Sequence, residues 1–349
     1  MTTTTAAPGR LDFMGGVADY SGSMVLQVAT TVKTSVECSL VSKMGGDPLL
    51  TLQNETFGTI TLPLTWLYAK LLEDLTFVEF LNAVRGWLGG LPEAPAKWVY
   101  YVFGSLASLA YSCKLDVLSI KSYDITLRIS SKVPLGQGVS SSASIEVATI
   151  RALREAYEKV GLTCLPTDLR VAHLAQGAEN HVVGAPCGLM DQLASSLGAA
   201  GEVLAILCRP DIVEPLVALP PGVLVVGWPS GVEHSLQGIS PYSLARTSSF
   251  MAKKVLEGLL GRKVSHITEF SVSSVLGVVH SIPESLAGSE FIGRYGAIDD
   301  PLSTINPDTV YKIRAGALFP VQENFRCVFL LTLKNSVSHT CTLRLFRTL

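Results

Sequence analysis

Apolar and polar side chains alternate between positions 123 and 129. The apolar members are Tyr123, Ile125, Leu127 and Ile129, and the polar ones between them are Asp124, Thr126 and Arg128. A period of two places every apolar side chain on one face, so this segment predicts a strand that is buried on one side. The strand leads directly into a loop rich in glycine and serine.

A helix is predicted after this loop. Its apolar face consists of Ile150, Leu153, Tyr157 and Val160, and charged residues occupy the opposite face. That spacing is typical of an amphipathic helix packed on a core. The chain therefore runs from a strand through a glycine-rich loop into a helix N-terminus. This order directs backbone N–H groups toward a bound phosphate.

The remaining pattern predicts further helices and strands. A helix should begin after Thr167 or Asp168, either of which can cap it, and should run toward Val183, before the glycines of 184–188. A short helix should carry Asp191, and apolar strands are expected at Val203–Cys208 and Val223–Trp228. The proline-rich stretch 210–221 is the expected domain boundary, giving domains of residues 1–210 and 211–349.

Composition narrows the class of protein. The chain has 349 residues, 48% apolar and 16% charged, a balance that favours a well-buried enzyme of two domains. The net charge is −2 and no run of lysine or arginine occurs, so neither nucleic acid nor a membrane is expected as a partner. The seven cysteines lack metal-ligand spacing, and the N-terminus lacks an apolar signal segment. We expect a soluble cytoplasmic protein with reduced thiols.

The glycine-rich loop is the first candidate for chemistry. Gly136 and Gly138 permit close approach of the backbone to a polyphosphate, and three serines then open the helix. The loop has no lysine of the P-loop type, and its glycine spacing does not fit the dinucleotide fingerprint. Taken alone, it also fits a flexible loop with a serine-rich helix cap.

Three segments together resemble the GHMP kinases. The loop Pro134–Ala143 is similar to the second signature of that family, and Ala7–Gly22 and Ala178–Gln192 are similar to the first signature and the catalytic stretch of galactokinases. Weaker similarities lie at Trp98–Gly104 and Ser230–Ser235. The resemblance covers about residues 6–326. It implies an α+β fold of two domains, the first like domain 2 of ribosomal protein S5 and the second a ferredoxin-like α/β sandwich.

The resemblance also implies roles for individual residues. Asp191 would be the general base, assisted by Arg10, and Ser142 with Glu179 would hold Mg²⁺. The ATP phosphates would contact the loop residues Pro134, Gly136, Gly138, Ser140, Ser141, Ser142 and Ala143. The sugar would contact Arg10, Gly16, Val17, Asp19 and Asp191. Residues 1–210 would therefore bind both ATP and a small sugar. We interpret Cys187 and His234 as structural, since a lone thiol or imidazole is more often packed than catalytic.

Departures from the family pattern bear on the substrate. Gly16 and Val17 stand where galactokinases carry Glu-His, the glutamate of which binds the C6 hydroxymethyl group, whereas Asp19 is retained. The residues of the first signature, Ala7–Gly22, and of the catalytic stretch, Ala178–Gln192, are most similar to those of plant-type L-arabinokinases. We therefore favour L-arabinose, with β-L-arabinose 1-phosphate as product, and keep D-galactose as the alternative.

The C-terminal part departs further. The family's third glycine-rich signature is absent after Arg326, so we expect an incomplete second domain and a chain truncated at both ends. An inactive protein that only binds sugar and ATP is a further alternative.

Overall fold

Two long strands form the centre of the N-terminal sheet. In the computed structural model, which describes residues 1–113, 121–163, 165–209, 211–228, 230–231 and 240–336, β1 (Thr2–Met14) and β2 (Met24–Ser42) pair antiparallel. Their register shifts between Pro8 and Arg10, where the single residue Gly9 lies opposite residues 30–32, so that β2 carries a bulge across from Gly9. Bulges re-aim side chains next to functional sites. Arg10 is the residue of β1 at which pairing resumes after this bulge.

Further strands extend the sheet on both sides of β2. They are β3 (Leu49–Asn54), β4 (Gly58–Pro63), β5 (Tyr123–Ser131), β6 (Glu202–Cys208), β7 (Asp211–Val213) and β8 (Val217–Ala218). Within the described residues the order is β4-β3-β5-β2-β6-β7, with β1 on β2 and β8 on β6. The β3–β5 pair is parallel and the others are antiparallel, so the sheet is mixed. The strands predicted at 123–129 and 203–208 are confirmed.

Helices cover one face of this sheet. They are α1 (Thr65–Leu71), α2 (Phe77–Gly89), α3 (Lys97–Ser112), α4 (Ser141–Lys159), α5 (Asp168–Gly177) and α6 (Met190–Leu197). The buried side chains of β5, Ile125, Leu127 and Ile129, belong to the same core as Val147, Ile150 and Leu153 of α4. The apolar alternation of β5 therefore packs directly against the apolar stripe of α4.

The helix predicted from 167 to 183 is present but changes character. Thr167 caps α5 by accepting a hydrogen bond from the N–H of Arg170, as expected. The segment Ala178–Val183 continues α5 as a π-helical turn, and Gly184 ends it with φ of +76°. Such wide turns are frequent at functional sites because they rotate side chains out of helical register. This turn carries Glu179.

The C-terminal part forms a second core. Its elements are α7 (Pro241–Leu260), α8 (Val272–Gly277), β9 (Leu286–Ala287), α9 (Gly288–Tyr295), β10 (Val310–Tyr311) and α10 (Ile313–Ser336). Met251, Val255, Phe291 and Ile313 lie in this core. The two-domain α+β organisation is confirmed, but in the described part of this domain the sheet is limited to the β9–β10 pair. No helix in the described residues is long and apolar enough to cross a membrane.

The strand predicted at Val223–Trp228 is wrong. The segment is irregular, and the alternating side chains of Leu224, Val226 and Trp228 are 87%, 77% and 89% exposed. An isolated extended segment is not a strand, because a strand requires a partner for its backbone N–H and C=O groups. The weaker motif at 230–235 lies largely outside the described residues, and so does His234.

Candidate active site

The glycine-rich loop connects β5 to α4 through three residues in the left-handed conformation. Gly136, Gly138 and Ser140 have φ of 68°, 69° and 57°. Glycine adopts this region at no steric cost, whereas a serine there is strained and is held by its surroundings. The hydroxyl of Ser144 donates to the carbonyl of Ala7 at 2.8 Å and accepts from the N–H of Thr34 at 3.2 Å. These bonds fix the start of α4 against β1 and β2.

Asp191 lies in the first turn of α6, facing this loop. The Nε of Arg10 donates to its Oδ1 at 2.7 Å, and the hydroxyl of Ser140 donates to its Oδ2 at 2.6 Å. Arg10 also donates from Nη1 to the carbonyl of Gly138 at 2.6 Å. One guanidinium therefore connects the loop to the carboxylate. Charge-assisted bonds of this kind are short and directional, so Asp191 is held in one orientation.

Glu179 and Ser142 lie together, as the sequence predicted for a metal site. Ser142 donates a hydrogen bond to the Glu179 carboxylate, which is 4% exposed. Burial, and next the negative charge of Asp191, raise the pKa of Glu179 to about 7. A buried carboxylate beside a hydroxyl suits a hard cation that binds oxygen, and a cation there would offset the desolvation of Glu179. These residues therefore fit Mg²⁺.

Two residues that we did not predict complete this cluster. The Nε2 of Gln192 donates to Oε2 of Glu179 at 2.6 Å and reaches Oε2 of Glu146 at 3.4 Å. Gln192 and Glu146 are fully buried, and burial raises the pKa of Glu146 well above its usual range. Glu146 falls on the apolar side of α4, and an acid on that side was the signal available from the sequence. Cys187 is partly buried; its S–H donates to Glu179 at 3.7 Å, and its sulfur accepts from Nε2 of Gln192 at 3.7 Å.

Asp19 lies in the turn Asp19–Ser21 between β1 and β2. It is 5% exposed, and its Oδ1 is buried without a hydrogen-bond partner among the described residues. Burial, and next the charge of Asp191, raise the pKa of Asp19 to about 6. Its Oδ2 lies so close to Gly188 that a Cβ there would come within 1.7 Å. Gly188 is therefore required by the position of Asp19, which is a link that the sequence did not reveal.

A cleft of about 1110 Å³ joins these groups. The predicted residues that line it are Arg10, Val17, Asp19, Gly136, Gly138, Ser140, Ser141, Ser142, Glu179 and Asp191. Pro134, Ala143 and Gly16 are not among its lining residues. Ala143 is fully buried in the core, and Gly16 faces the ring of Phe319 on α10. The lining also includes Asp12, Lys97, Tyr101 and Tyr242, which we did not predict.

The arrangement supports proton abstraction beside the glycine-rich loop. Both Nε and Nη2 of Arg10 lie 2.7 Å from Oδ1 of Asp191, whereas Oδ2 accepts one bond, from Ser140, and keeps a lone pair that can take up a proton. Arg10 is positioned to neutralise charge that develops between the loop and Asp191. The second domain contributes Tyr242 to the same cleft. The cleft is thus a shared feature of both domains, as is common for small-molecule sites.

Comparisons with known proteins agree with this picture. Residues 101–199 match the family model "GHMP kinases N terminal domain". The chain is 32% identical to L-arabinokinase of Arabidopsis thaliana over 92% of its own length and 34% of that protein. It is 31% identical to galactokinase of Chloroflexus aggregans over 82% of its length and 63% of that protein.

One solved structure shares the fold over nearly the whole chain. It is the crystal structure of Lactococcus lactis galactokinase complexed with galactose, with a TM-score of 0.65 and 18% identity. The match covers 98% of this chain and 70% of that one. The chain thus spans about a third of the plant relative and less than two thirds of the bacterial relative.

Proposed function

Because the chain belongs to the GHMP kinase family, we propose that it is an ATP-dependent sugar 1-kinase, which transfers the γ-phosphoryl group of ATP to the anomeric hydroxyl of a sugar. The observation that carries this proposal is the Asp191 carboxylate, held by Arg10 and Ser140 across from a glycine-rich loop in one cleft. A carboxylate in this setting matches a general base beside a phosphate site.

The proposed reaction is an in-line displacement. The sugar hydroxyl gives its proton to Asp191 as its oxygen attacks the γ-phosphorus, and the bond to the bridging oxygen of ADP breaks. Arg10 stabilises the negative charge that develops on the phosphoryl oxygens, while Gly136, Gly138 and the serines at the start of α4 position the phosphates. Ser140 keeps Asp191 oriented through its 2.6 Å bond.

Magnesium is the proposed cofactor, with Ser142 and Glu179 as its protein ligands. Bound there, the ion would neutralise phosphate charge. The short bond from Gln192 orients Glu179 for this role, since hydrogen bonds from neighbouring side chains fix the geometry of metal ligands.

We propose L-arabinose as the preferred sugar. This is supported by the absence of an acid at Gly16 and Val17, and by the length of the match to a protein named L-arabinokinase. A pocket without a partner for a C6 hydroxymethyl group has no reason to require it. Galactokinase activity is the second candidate, because Asp19 is retained and the bacterial relatives are named galactokinases.

A direct assay distinguishes these functions. Purified protein is given ATP, Mg²⁺ and either L-arabinose or D-galactose, and the release of ADP is followed. We expect turnover with both sugars and a higher kcat/KM for L-arabinose. A higher value for D-galactose would select the second candidate. Binding of ATP without turnover on either sugar would contradict the kinase proposal and favour an inactive sugar- and ATP-binding protein.

A further inference from the structure

The turn that carries Asp19 is held by the second domain. The hydroxyls of Ser21 and Ser249 are 3.0 Å apart, and Thr268 donates to the carbonyls of Ser21 and Gly22 at 3.0 and 2.7 Å. Each of these bonds joins residues more than 220 positions apart in the chain. Helix α7 and the short turn at Ile267–Glu269 therefore form the support on which this sugar-facing segment rests.

Arg246 of α7 is the charged centre of that support. Its guanidinium lies 5.3 Å from the ring centroid of Tyr20 and 5.6 Å from that of Phe250. The two rings are themselves stacked at 6.2 Å. Cation–π contacts attract the guanidinium to these half-buried rings. Tyr20 is the residue next to Asp19, so Arg246 is connected directly to the sugar-facing turn.

Asp300 fixes Arg246 from the other side. The Nε and Nη2 of Arg246 donate to the two oxygens of Asp300 at 2.7 and 2.9 Å, and the side chains are 6% and 2% exposed. This leaves Nη1 of Arg246 buried with no hydrogen-bond partner among the described residues. A paired, buried guanidinium of this type cannot move away from Tyr20 without breaking both bonds.

We infer that Arg246 is a positioning residue for the sugar site: through Tyr20 it orients the Asp19 carboxylate, and its positive charge keeps that carboxylate ready to accept hydrogen bonds from sugar hydroxyls. The inference rests on the proposed function, because it takes Asp19 as a sugar ligand. Arg246 is not among the described residues that line the cleft, so it would act without touching either substrate. It acts from the second domain on a residue of the first.

The charge part of this inference agrees with the electrostatics of Asp19. Burial and the Asp191 charge raise the pKa of Asp19 to about 6, and Arg246 and Arg10 act in the opposite direction. The ionisable groups around Asp19 are Arg10 on β1, Tyr20 in the same turn, Cys187 before α6, Asp191 on α6, Cys208 on β6, and Tyr242 and Arg246 on α7. Removing the Arg246 charge should therefore raise the pKa of Asp19 further.

Two variants test the inference. Arg246→Gln combined with Asp300→Asn removes both charges as a pair, so that no buried charge is left unpaired. Arg246→Lys keeps the charge but loses the flat, bidentate contact. Arg314→Gln is the matched control, because Arg314 is another guanidinium of the second domain, bound to the carbonyl of Ile282 at 2.8 Å. The measurements are KM for sugar and for ATP against pH, and a ¹³C NMR titration of the Asp19 carboxyl carbon without substrates.

The double variant should raise KM for sugar severalfold or more and leave KM for ATP unchanged. The fall of kcat/KM for sugar at acidic pH should move to higher pH, and so should the midpoint of the Asp19 titration. Arg246→Lys should raise KM for sugar but leave the titration near its wild-type midpoint, and Arg314→Gln should change neither.

An unmoved Asp19 midpoint in a folded double variant would overturn the inference. An unchanged KM for sugar in Arg246→Lys would overturn it as well. This second variant provides a test even if the double variant does not fold. The NMR titration needs no turnover, so a wild-type chain inactive on every sugar would reject the proposed function and still leave the Arg246–Asp19 coupling measurable.

Discussion

Among the acidic residues that line the cleft, Asp191, Asp19 and Glu179 lie in surroundings that suit different tasks. The side chain of Asp191 is 23% exposed and forms an ion pair with Arg10, so the positive charge of Arg10 balances the negative charge of Asp191. Asp19 and Glu179 are buried, and their pKa values are raised to about 6 and about 7. A compensated acid beside the phosphate loop suits proton transfer, whereas buried acids suit binding of hydroxyls or a cation.

The raised pKa of Asp19 predicts a pH dependence. Below about pH 6 the carboxyl group becomes protonated and loses one of its acceptor positions for sugar hydroxyls, so kcat/KM for sugar should fall. Asp19→Asn should lower kcat/KM for sugar at neutral pH and abolish the further fall below about pH 6. The measurement is kcat/KM for sugar between pH 5 and pH 8 in both proteins.

The same shift affects stability with a definite sign. The folded pKa of Asp19 lies above its usual value of 3.8, so the folded state binds more protons and loses stability as pH rises through about 6. Asp19→Asn should flatten this part of the stability curve in urea unfolding. An identical curve in both proteins would contradict the assigned environment of Asp19.

The proposed metal site gives a third prediction at this scale. Glu179→Gln keeps the bond pattern around Gln192 possible but removes the charge that would bind Mg²⁺. The Mg²⁺ concentration for half-maximal rate should rise by roughly 10-fold or more, in line with losses of a metal ligand or its partner. KM for sugar should stay the same, and equal losses of sugar and metal binding would indicate misfolding instead.

At the scale of elements, backbone geometry explains what the sequence could and could not predict. The alternation at 123–129 and the helical stripe after it gave β5 and α4 correctly, because both are buried on one face. Gly136 and Gly138 were expected to let the backbone approach a phosphate, and both adopt the left-handed conformation. The π-helical turn that carries Glu179 could not be read from spacing, since it depends on packing against α3.

Contacts between distant segments were also invisible in the sequence. Gly188 and Asp19 are 169 positions apart, and nothing in either motif indicated that they touch. The strand expected at Val223–Trp228 is absent because no strand among the described residues pairs with this segment. Its apolar pattern is strand-like, but pattern alone does not supply a neighbouring strand.

Gly188→Ala tests the contact with Asp19. The new Cβ would overlap the Asp19 carboxylate at 1.7 Å and force it to move. KM for sugar should rise by at least about 10-fold, consistent with loss of a positioned hydrogen-bond partner, while KM for ATP stays unchanged. Gly86→Ala is the control, since it lies within α2 with open space around it and should stabilise the protein by roughly 0.5–1 kcal/mol. Unchanged sugar kinetics in Gly188→Ala would show that Asp19 does not bind sugar.

At the scale of the whole molecule, the proposed determinant of sugar choice, Gly16, lies against a residue of the second domain. Gly16 has φ of +51°, and a Cβ there would lie 2.8 Å from the ring of Phe319 on α10. A glutamate at position 16 therefore cannot enter while Phe319 keeps its place. Because α10 was not expected to pack there, the sequence could suggest a preference for L-arabinose but not the contact between Gly16 and Phe319.

A combined variant tests that cause. Gly16→Glu with Val17→His and Phe319→Ala supplies the acid, its neighbour and the space for both. The ratio of kcat/KM for D-galactose to that for L-arabinose should rise by roughly 10-fold or more, the usual scale for a gained hydroxyl contact. Phe319→Ala alone should leave the ratio unchanged. A triple variant that folds and keeps the wild-type ratio would remove positions 16 and 17 from sugar choice.

³¹P NMR of the reaction mixture shows whether Asp191 promotes phosphoryl transfer from ATP to a sugar. With L-arabinose, the wild-type protein should produce ADP and a sugar 1-phosphate in equal amounts. Asp191→Asn should bind ATP normally but form product roughly 10²–10⁴ times more slowly, the scale of positioned general-base catalysis. Sugar phosphate formed at the wild-type rate by Asp191→Asn would contradict the role of Asp191 as general base, and none formed by the wild-type protein from either sugar would contradict the proposed kinase activity.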